Sequence, residues 1–332
     1  MTNVTNIRGG RISYIDALKG FLILLVIIGH SDVNVILPRA TQAIYTFHMP
    51  LFFILSGFFL HRQENVRMHL KKSAKAYLLP YCFTCLIGML LICGKYVLTS
   101  DMKYHGILED YLARVMFVQI AQTTDVGPIW FLVALFWGQN ILTALINLTS
   151  KFQLCIVVLA IAAITLLLTE KLFVPFSIFQ GFTALPYLLV GFLLKEHWDD
   201  VIRIAKDRIC IFSIIALWAV YVLLGKVMRI SFVDLPQGCT SYLVSILISL
   251  VILQYASYID YSFFRRIGKH TLLILCVHTL VLPYVSRIGS ITHNVAFVSL
   301  EIAADILVTL LISYVFVKTK SIVKYGNTSK RA

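Results

Sequence analysis

The sequence predicts an all-α polytopic membrane bundle of about ten transmembrane helices with both termini cytoplasmic, and three observations carry that prediction. First, 59% of the 332 residues are hydrophobic and 14% are charged, against roughly 45–50% and 25% in soluble domains. Second, the excess gathers into runs of about 17–22 apolar residues, the length a helix needs to cross about 30 Å of hydrocarbon. Backbone groups in lipid must be satisfied within their own segment, so such runs are helices, and the long alternating strands of a barrel are missing. Third, the basic residues alternate from loop to loop. Of the 29 Lys and Arg, 20 lie at the termini and in every second loop, 8 lie in the opposite loops, and Lys19 lies inside the first run. That is the positive-inside pattern.

Spans are expected near 16–36, 44–60, 77–98, 128–148, 153–170, 178–195, 209–226, 241–258, 271–287 and 298–317. The first apolar stretch continues past Gly29–His30 with no small-x-small cleavage site, so it reads as a retained span rather than a signal peptide. Residues 1–317 form one membrane domain, followed by a polar, frayed cytoplasmic tail over 318–332. The net charge of +13 is accounted for by the cytoplasmic loops, so no nucleic-acid partner is expected. Cys82-x-x-Cys85 has redox or metal spacing, but no second pair accompanies it; a structural role and no metal are expected. The longest outer loop, about 99–127, carries Asp101, Glu109, Asp110 and Asp125 and can cover an outward-facing cleft.

Ionisable residues inside spans are costly and are candidates for function. Lys19 and His30 are eleven residues apart, about three helical turns, which puts them on one stripe about 16 Å apart along the axis. Asp16 lies at i−3 from Lys19 and can pair with it. Lys19 can equally snorkel to the headgroups, and His30 can serve a structural hydrogen bond. The second span brings His48 to a depth close to that of His30, Pro50 leaves a backbone carbonyl without its helical partner, and Ser56-Gly57 offers a small surface for close helix contact.

The stretch Tyr14-Ile-Asp16-Ala-Leu-Lys19-Gly20 through Gly29-His30, with Phe47-His48-Met-Pro50-Leu-Phe-Phe-Ile-Leu-Ser56-Gly57, resembles the opening of the acyltransferase-3 family of multi-span bacterial membrane enzymes. Trp130-Phe131-Leu132 and Gly268-Lys269-His270-Thr271 leading to His278 extend the resemblance over most of the chain. The family signature of Arg or Lys, ten residues, then His is matched by Lys19 and His30. Its pair of arginines three apart before a span-three proline is replaced by Lys72 and Lys75 at a longer offset from Pro80.

The resemblance implies a bacterial inner-membrane acyltransferase. It would move an acyl group, acetyl above all, from cytoplasmic acetyl-CoA to a hydroxyl of a surface glycan or lipid-linked sugar. His30 would act as general base or be acylated transiently, Lys19 would supply a cation, and His48 would hold the acceptor or a carbonyl oxygen. Arg62, Arg67, Lys71, Lys72 and Lys75 form the densest basic loop and would bind the donor's phosphates, against a reading of plain topology and contact with membrane lipid. Glu301, Asp305 and His278 can line the same cavity, and Trp130 can stack on a sugar or simply anchor the interface. The rival reading is a proton-coupled transporter or flippase using Lys19, His30, Glu301 and Asp305. Transporter folds often carry related halves, and no internal repeat relates the halves of this chain.

Overall fold

The computed structural model describes residues 12–99, 106–107, 109, 111, 127–169, 171–172, 174–198, 207–225, 227–289 and 294–329. Among them the chain is helical, and the only extended pairing is an isolated bridge between Arg229 and Asp234. The main helices are α1 (Ser13–His30), α2 (Val33–Ile36), α3 (Pro38–Phe58), α4 (Val66–Ser73), α5 (Leu79–Thr99), α6 (Trp130–Leu148) and α7 (Lys151–Leu168). They continue with α8 (Ile178–Leu194), α9 (Arg208–Leu224), α10 (Cys239–Gln254), α11 (Ser262–Gly268), α12 (Thr271–Gly289) and α13 (Val295–Ser329).

A helix occupies each place where a span is expected. Among the described residues six are long and apolar enough to cross a membrane: Ser13–His30, Val66–Thr99, Gly127–Leu148, Lys151–Leu168, Cys239–Ile259 and Val295–Thr319. A seventh follows if α11 and the start of α12, bent by 77°, count as one span. By length and composition alone the other expected spans do not qualify. α3 carries Arg39, Thr41, Gln42, Thr46 and His48 among its 21 residues, and α8 and α9 are 17 residues each.

Two boundaries differ from expectation. The first span, expected over 16–36, stops at His30: Ser31 takes an extended backbone, its hydroxyl donates to the Ile28 carbonyl at 2.7 Å, and α2 starts as a separate turn. At the other end the helix expected to close at 317 runs on through Ser329.

The chain divides into two compact units, one from residues 1–36 and 256–332, the other from 37–255. In the first, α1 lies against α11 in near-backbone contact. A Cβ on Gly20 would sit 2.0 Å from the Phe264 carbonyl oxygen, and one on Gly268 would sit 1.7 Å from the Asp16 carbonyl oxygen. Small residues let helices approach this closely without a hydrophobic driving force between them. Phe21 and Phe264 pack edge to face at 6.0 Å beside the crossing, and Asp260 accepts from the Ser13 hydroxyl at 2.9 Å. α13 turns Leu300, Leu307, Leu311 and Phe316 outward, as a lipid-facing helix does, while keeping a polar face inward.

The second unit repeats the device. α3 and α8 cross where a Cβ on Gly57 would meet the Leu188 carbonyl at 2.0 Å and one on Gly191 would meet the Ile54 carbonyl at 1.9 Å. The surface expected at Ser56-Gly57 is therefore a helix crossing, and the Ser56 hydroxyl donates within its own helix to the Phe52 carbonyl at 2.8 Å. Pro80 has a further consequence. It has no N–H for the carbonyl of Ala76, and the preceding turn, Ala74–Leu78, is a π turn in which the Leu79 N–H reaches the Ala74 carbonyl.

Candidate functional site

In the first unit, α1, α12 and α13 bring together His30, His278 and Asp305. His30 is the last residue of α1 and is half-buried; its ring centroid lies 5.9 Å from that of His278. His278 is fully buried on α12, and its Nδ1 lies 3.1 Å from Asp305 Oδ1. The Thr309 hydroxyl donates to the same oxygen at 3.0 Å. A carboxylate can only accept, so Nδ1 of His278 carries the proton of this bond, and Nε2 is the nitrogen left to meet other groups. That Nε2 is buried and has no hydrogen-bond partner among the described residues. A Nδ1–H donated to a carboxylate leaving a basic Nε2 is the arrangement by which a histidine is held ready for proton transfer.

Glu301 lies one turn before Asp305 and is 1% exposed. Its Oε2 accepts from the backbone N–H of Asp32 at 3.3 Å, which fastens the turn just after His30, while Oε1 is buried without a partner among the described residues. Glu301, Asp305, Thr309 and Ser313 are all buried and recur every fourth residue, so they form one polar stripe along the inner face of α13. Sequence reasoning found its first two members and missed Thr309, Ser313 and the Asp32 backbone. The spacing of four was the available signal. Of the remaining α1 candidates, Asp16 is buried at the Gly268 crossing and Lys19 is half-buried.

The other candidates lie in the second unit. His48 is buried, with its Nδ1 2.7 Å from the Ile44 carbonyl of its own helix and its ring 5.1 Å from that of Tyr45. A carbonyl accepts only, so here too Nδ1 carries the proton of the bond. Trp130 is buried against Phe53 and Phe131. Cys82 is exposed and Cys85 is buried, and they are not joined by a disulfide.

The basic segment is held by a polar ladder. His69 Nε2 faces the Thr143 hydroxyl at 3.4 Å, Ser73 bonds Asn140 at 2.8 Å, and the Tyr77 hydroxyl donates to Gln139 at 3.2 Å. These three recur at every fourth position and face α6, which leaves Arg67, Lys71, Lys72 and Lys75 exposed. Arg62 precedes them, exposed overall, with Nη2 donating to the Ile146 carbonyl at 2.9 Å. Acidic residues of the 99–127 loop other than Glu109 lie outside the described residues.

Comparison with known proteins agrees with the resemblance read from the opening motifs. The chain is 30% identical over 205 residues to nodulation protein NolL of Sinorhizobium fredii (strain NBRC 101917 / NGR234), covering 56% of this chain and 49% of that protein. It thus spans about half the length of this relative. No solved structure matches it. A model of the acyltransferase-3 family of acyltransferase domains matches residues 12–318, which takes in α1 with His30 and α12 with His278. The chain therefore belongs to the acyltransferase-3 family.

Proposed function

We propose that this protein transfers an acyl group, most simply acetyl, from acyl-CoA to a hydroxyl of a glycan or lipid-linked sugar, with His30 as the general base. The observation that carries this reading is the His30–His278–Asp305 arrangement. The imidazole of His30 removes the proton of the acceptor hydroxyl as its oxygen attacks the thioester carbonyl. The tetrahedral intermediate then expels the thiolate, which takes the proton back, leaving an ester and a free thiol. While His30 holds the proton it is a cation. The Asp305 carboxylate, acting through His278, is the charge that stabilises it in a site of low dielectric. Lys19 supplies a fixed cation on the same helix, eleven residues before His30, and Arg62, Arg67, Lys71, Lys72 and Lys75 bind the donor's phosphates.

Ten membrane crossings with cytoplasmic termini fit this reading, because acyl-CoA is cytoplasmic and the basic loops then face it. The same buried acids and histidines would suit a proton path, but family membership favours transfer.

The test is acyl-CoA turnover by purified protein with wild-type and His30→Gln chains. Gln keeps a similar size and hydrogen bonding without basicity. Transfer is expected to fall at least about a hundredfold, the lower range for losing a general base. Transfer at the wild-type rate by His30→Gln would make the imidazole structural and end this mechanism.

A further inference from the structure

At the end of the second unit where basic loops gather, the C-terminal ends of α3, α6 and α8 meet the N-terminal end of α7 around an open cleft of about 610 Å³. Its floor is apolar: Leu60 and Leu154 are buried there, with Phe192 beside them. Its rim carries Arg62, Lys151 and Lys195. Only Arg62 belongs to the basic loop considered above; Lys151 and Lys195 fall among the 20 basic residues that make up the positive-inside pattern.

The wall that holds Arg62 is built in advance. The carbonyl of Ile146 is among the last four of α6, which the helix itself cannot satisfy, and Arg62 Nη2 fills it. A guanidinium has five N–H donors, so this anchor uses one. Next to it, the Gln63 N–H donates to Asn147 Oδ1 at 3.3 Å, and Asn147 Nδ2 donates to the Gln63 carbonyl at 2.7 Å, a two-bond clasp between loop and helix. Across the cleft Lys151 is paired with Glu196, while Lys195 has no carboxylate partner among the described residues. Three cations against one carboxylate leave the rim positive by two charges. Cations do favour helix C-termini for their own sake. That preference asks for no cavity and no apolar floor beneath them.

We propose that this cleft binds a phosphate ester carried on an apolar body, with Arg62 and Lys195 on the phosphate and Leu60, Leu154 and Phe192 beneath the apolar part. Two sources supply that chemistry: a soluble nucleotide thiol with its long arm, and an anionic phospholipid. The soluble source rests on the donor reading above, which already places Arg62 on the donor's phosphates; neither source needs the histidine chemistry, because binding needs no transfer.

The experiment uses the full chain in nanodiscs. Coenzyme A is titrated calorimetrically into phosphatidylcholine discs, and in parallel phosphatidylglycerol retained from mixed-lipid discs is measured by native mass spectrometry. Lys195→Gln and Arg62→Gln are each expected to weaken one of the two probes about tenfold, which corresponds to about 1.4 kcal/mol. Glu196→Gln releases Lys151 and is expected to tighten the same probe by a similar factor. A response of coenzyme A assigns the soluble source, and a response of phosphatidylglycerol assigns the lipid. If neither probe responds to Lys195→Gln or to Glu196→Gln, the proposal is overturned. His30→Gln serves as control: it is expected to bind as wild type does. Loss of the transfer reading with the cleft shifts intact therefore leaves this site standing.

Discussion

Gly268→Ala is the perturbation whose effect the fold specifies best. The new Cβ would lie 1.7 Å from the carbonyl oxygen of Asp16, where ordinary van der Waals contact begins at 3.4 Å, so α1 and α11 must separate by about 1.7 Å at the crossing. Neither side can yield by rotating a side chain, because both atoms belong to the main chain or are fixed to it. Overpacking of this kind costs about 1–3 kcal/mol. α1 also carries Lys19 and ends at His30, and a 1 Å misplacement of a reacting group can cost about a hundredfold in rate. Gly268→Ala is therefore expected to lower both thermal stability in detergent and acyl transfer, the latter by roughly two orders of magnitude. Gly94→Ala in α5 is the matched control. Nothing lies within 4 Å of its Cβ, and Ala is the better helix former by about 1 kcal/mol, so stability should hold or rise. The assay pairs a fluorescence-detected melting curve with thiol release from acyl-CoA. Full activity and an unchanged melting temperature in Gly268→Ala would refute both the crossing and its tie to His30.

Three further outcomes are expected. Replacing Arg67, Lys72 and Lys75 together by Gln should raise the donor KM more than it lowers kcat, since exposed groups on a remote part of the donor act equally in ground and transition states; an unchanged KM with normal insertion returns them to topology. Asp305→Asn removes the charge behind His278 but keeps the size, and should lower kcat at least about tenfold with the donor KM unmoved, while Thr309→Val should cost only about 1 kcal/mol of stability for one lost hydrogen bond. Equal loss in both variants would mean that the charge is not what matters. Reporter fusions should place both termini and the 61–75 loop on the cytoplasmic side and position 110 outside; a reporter at 110 that works only in the cytoplasm would invert the donor side.

How much was legible in the sequence follows from which forces act locally. The bilayer dictates run length and charge alternation, so helices were readable at all ten places, and the Lys19–His30 stripe needed only helical periodicity. The stop at Ser31 was not readable, because it depends on a serine hydroxyl returning to Ile28 and on the Glu301 carboxylate accepting from the Asp32 N–H, 269 residues apart in sequence. The meeting of His30 with His278 is equally non-local. Gly20 and Gly268 showed as glycines but not as partners, because a close crossing is a property of two helices. Lys151 and Lys195 were hidden for another reason. The positive-inside rule accounts for basic loops so well that it left no residue over to suggest a site.

The polar stripe of α13 also bears on the proposed acid–base chemistry. A buried ionisable group in a membrane-crossing helix is expensive unless paired, and a stripe kept for packing alone would be expected to satisfy every atom. This one does so only in part. The Asp305 carboxylate receives two hydrogen bonds and Glu301 receives one, yet Glu301 Oε1 and the Ser313 hydroxyl in the stripe, and His278 Nε2 facing it from α12, stay buried without partners among the described residues. The second unit leaves buried polar atoms unsatisfied as well, but those include the hydroxyls of Thr41, Ser177 and Ser249 and the amide of Gln180, which do not titrate. An unpartnered hydroxyl can receive or give a hydrogen bond. An unpartnered imidazole nitrogen can take a proton and hold it. Each such atom costs about 1–3 kcal/mol in a folded protein, and an apolar residue of similar size at position 278 would remove that cost if packing were the only requirement. His278 Nε2, buried without a partner among the described residues and set beside His30, is therefore a feature that packing alone does not require and that the proposed proton transfer would use.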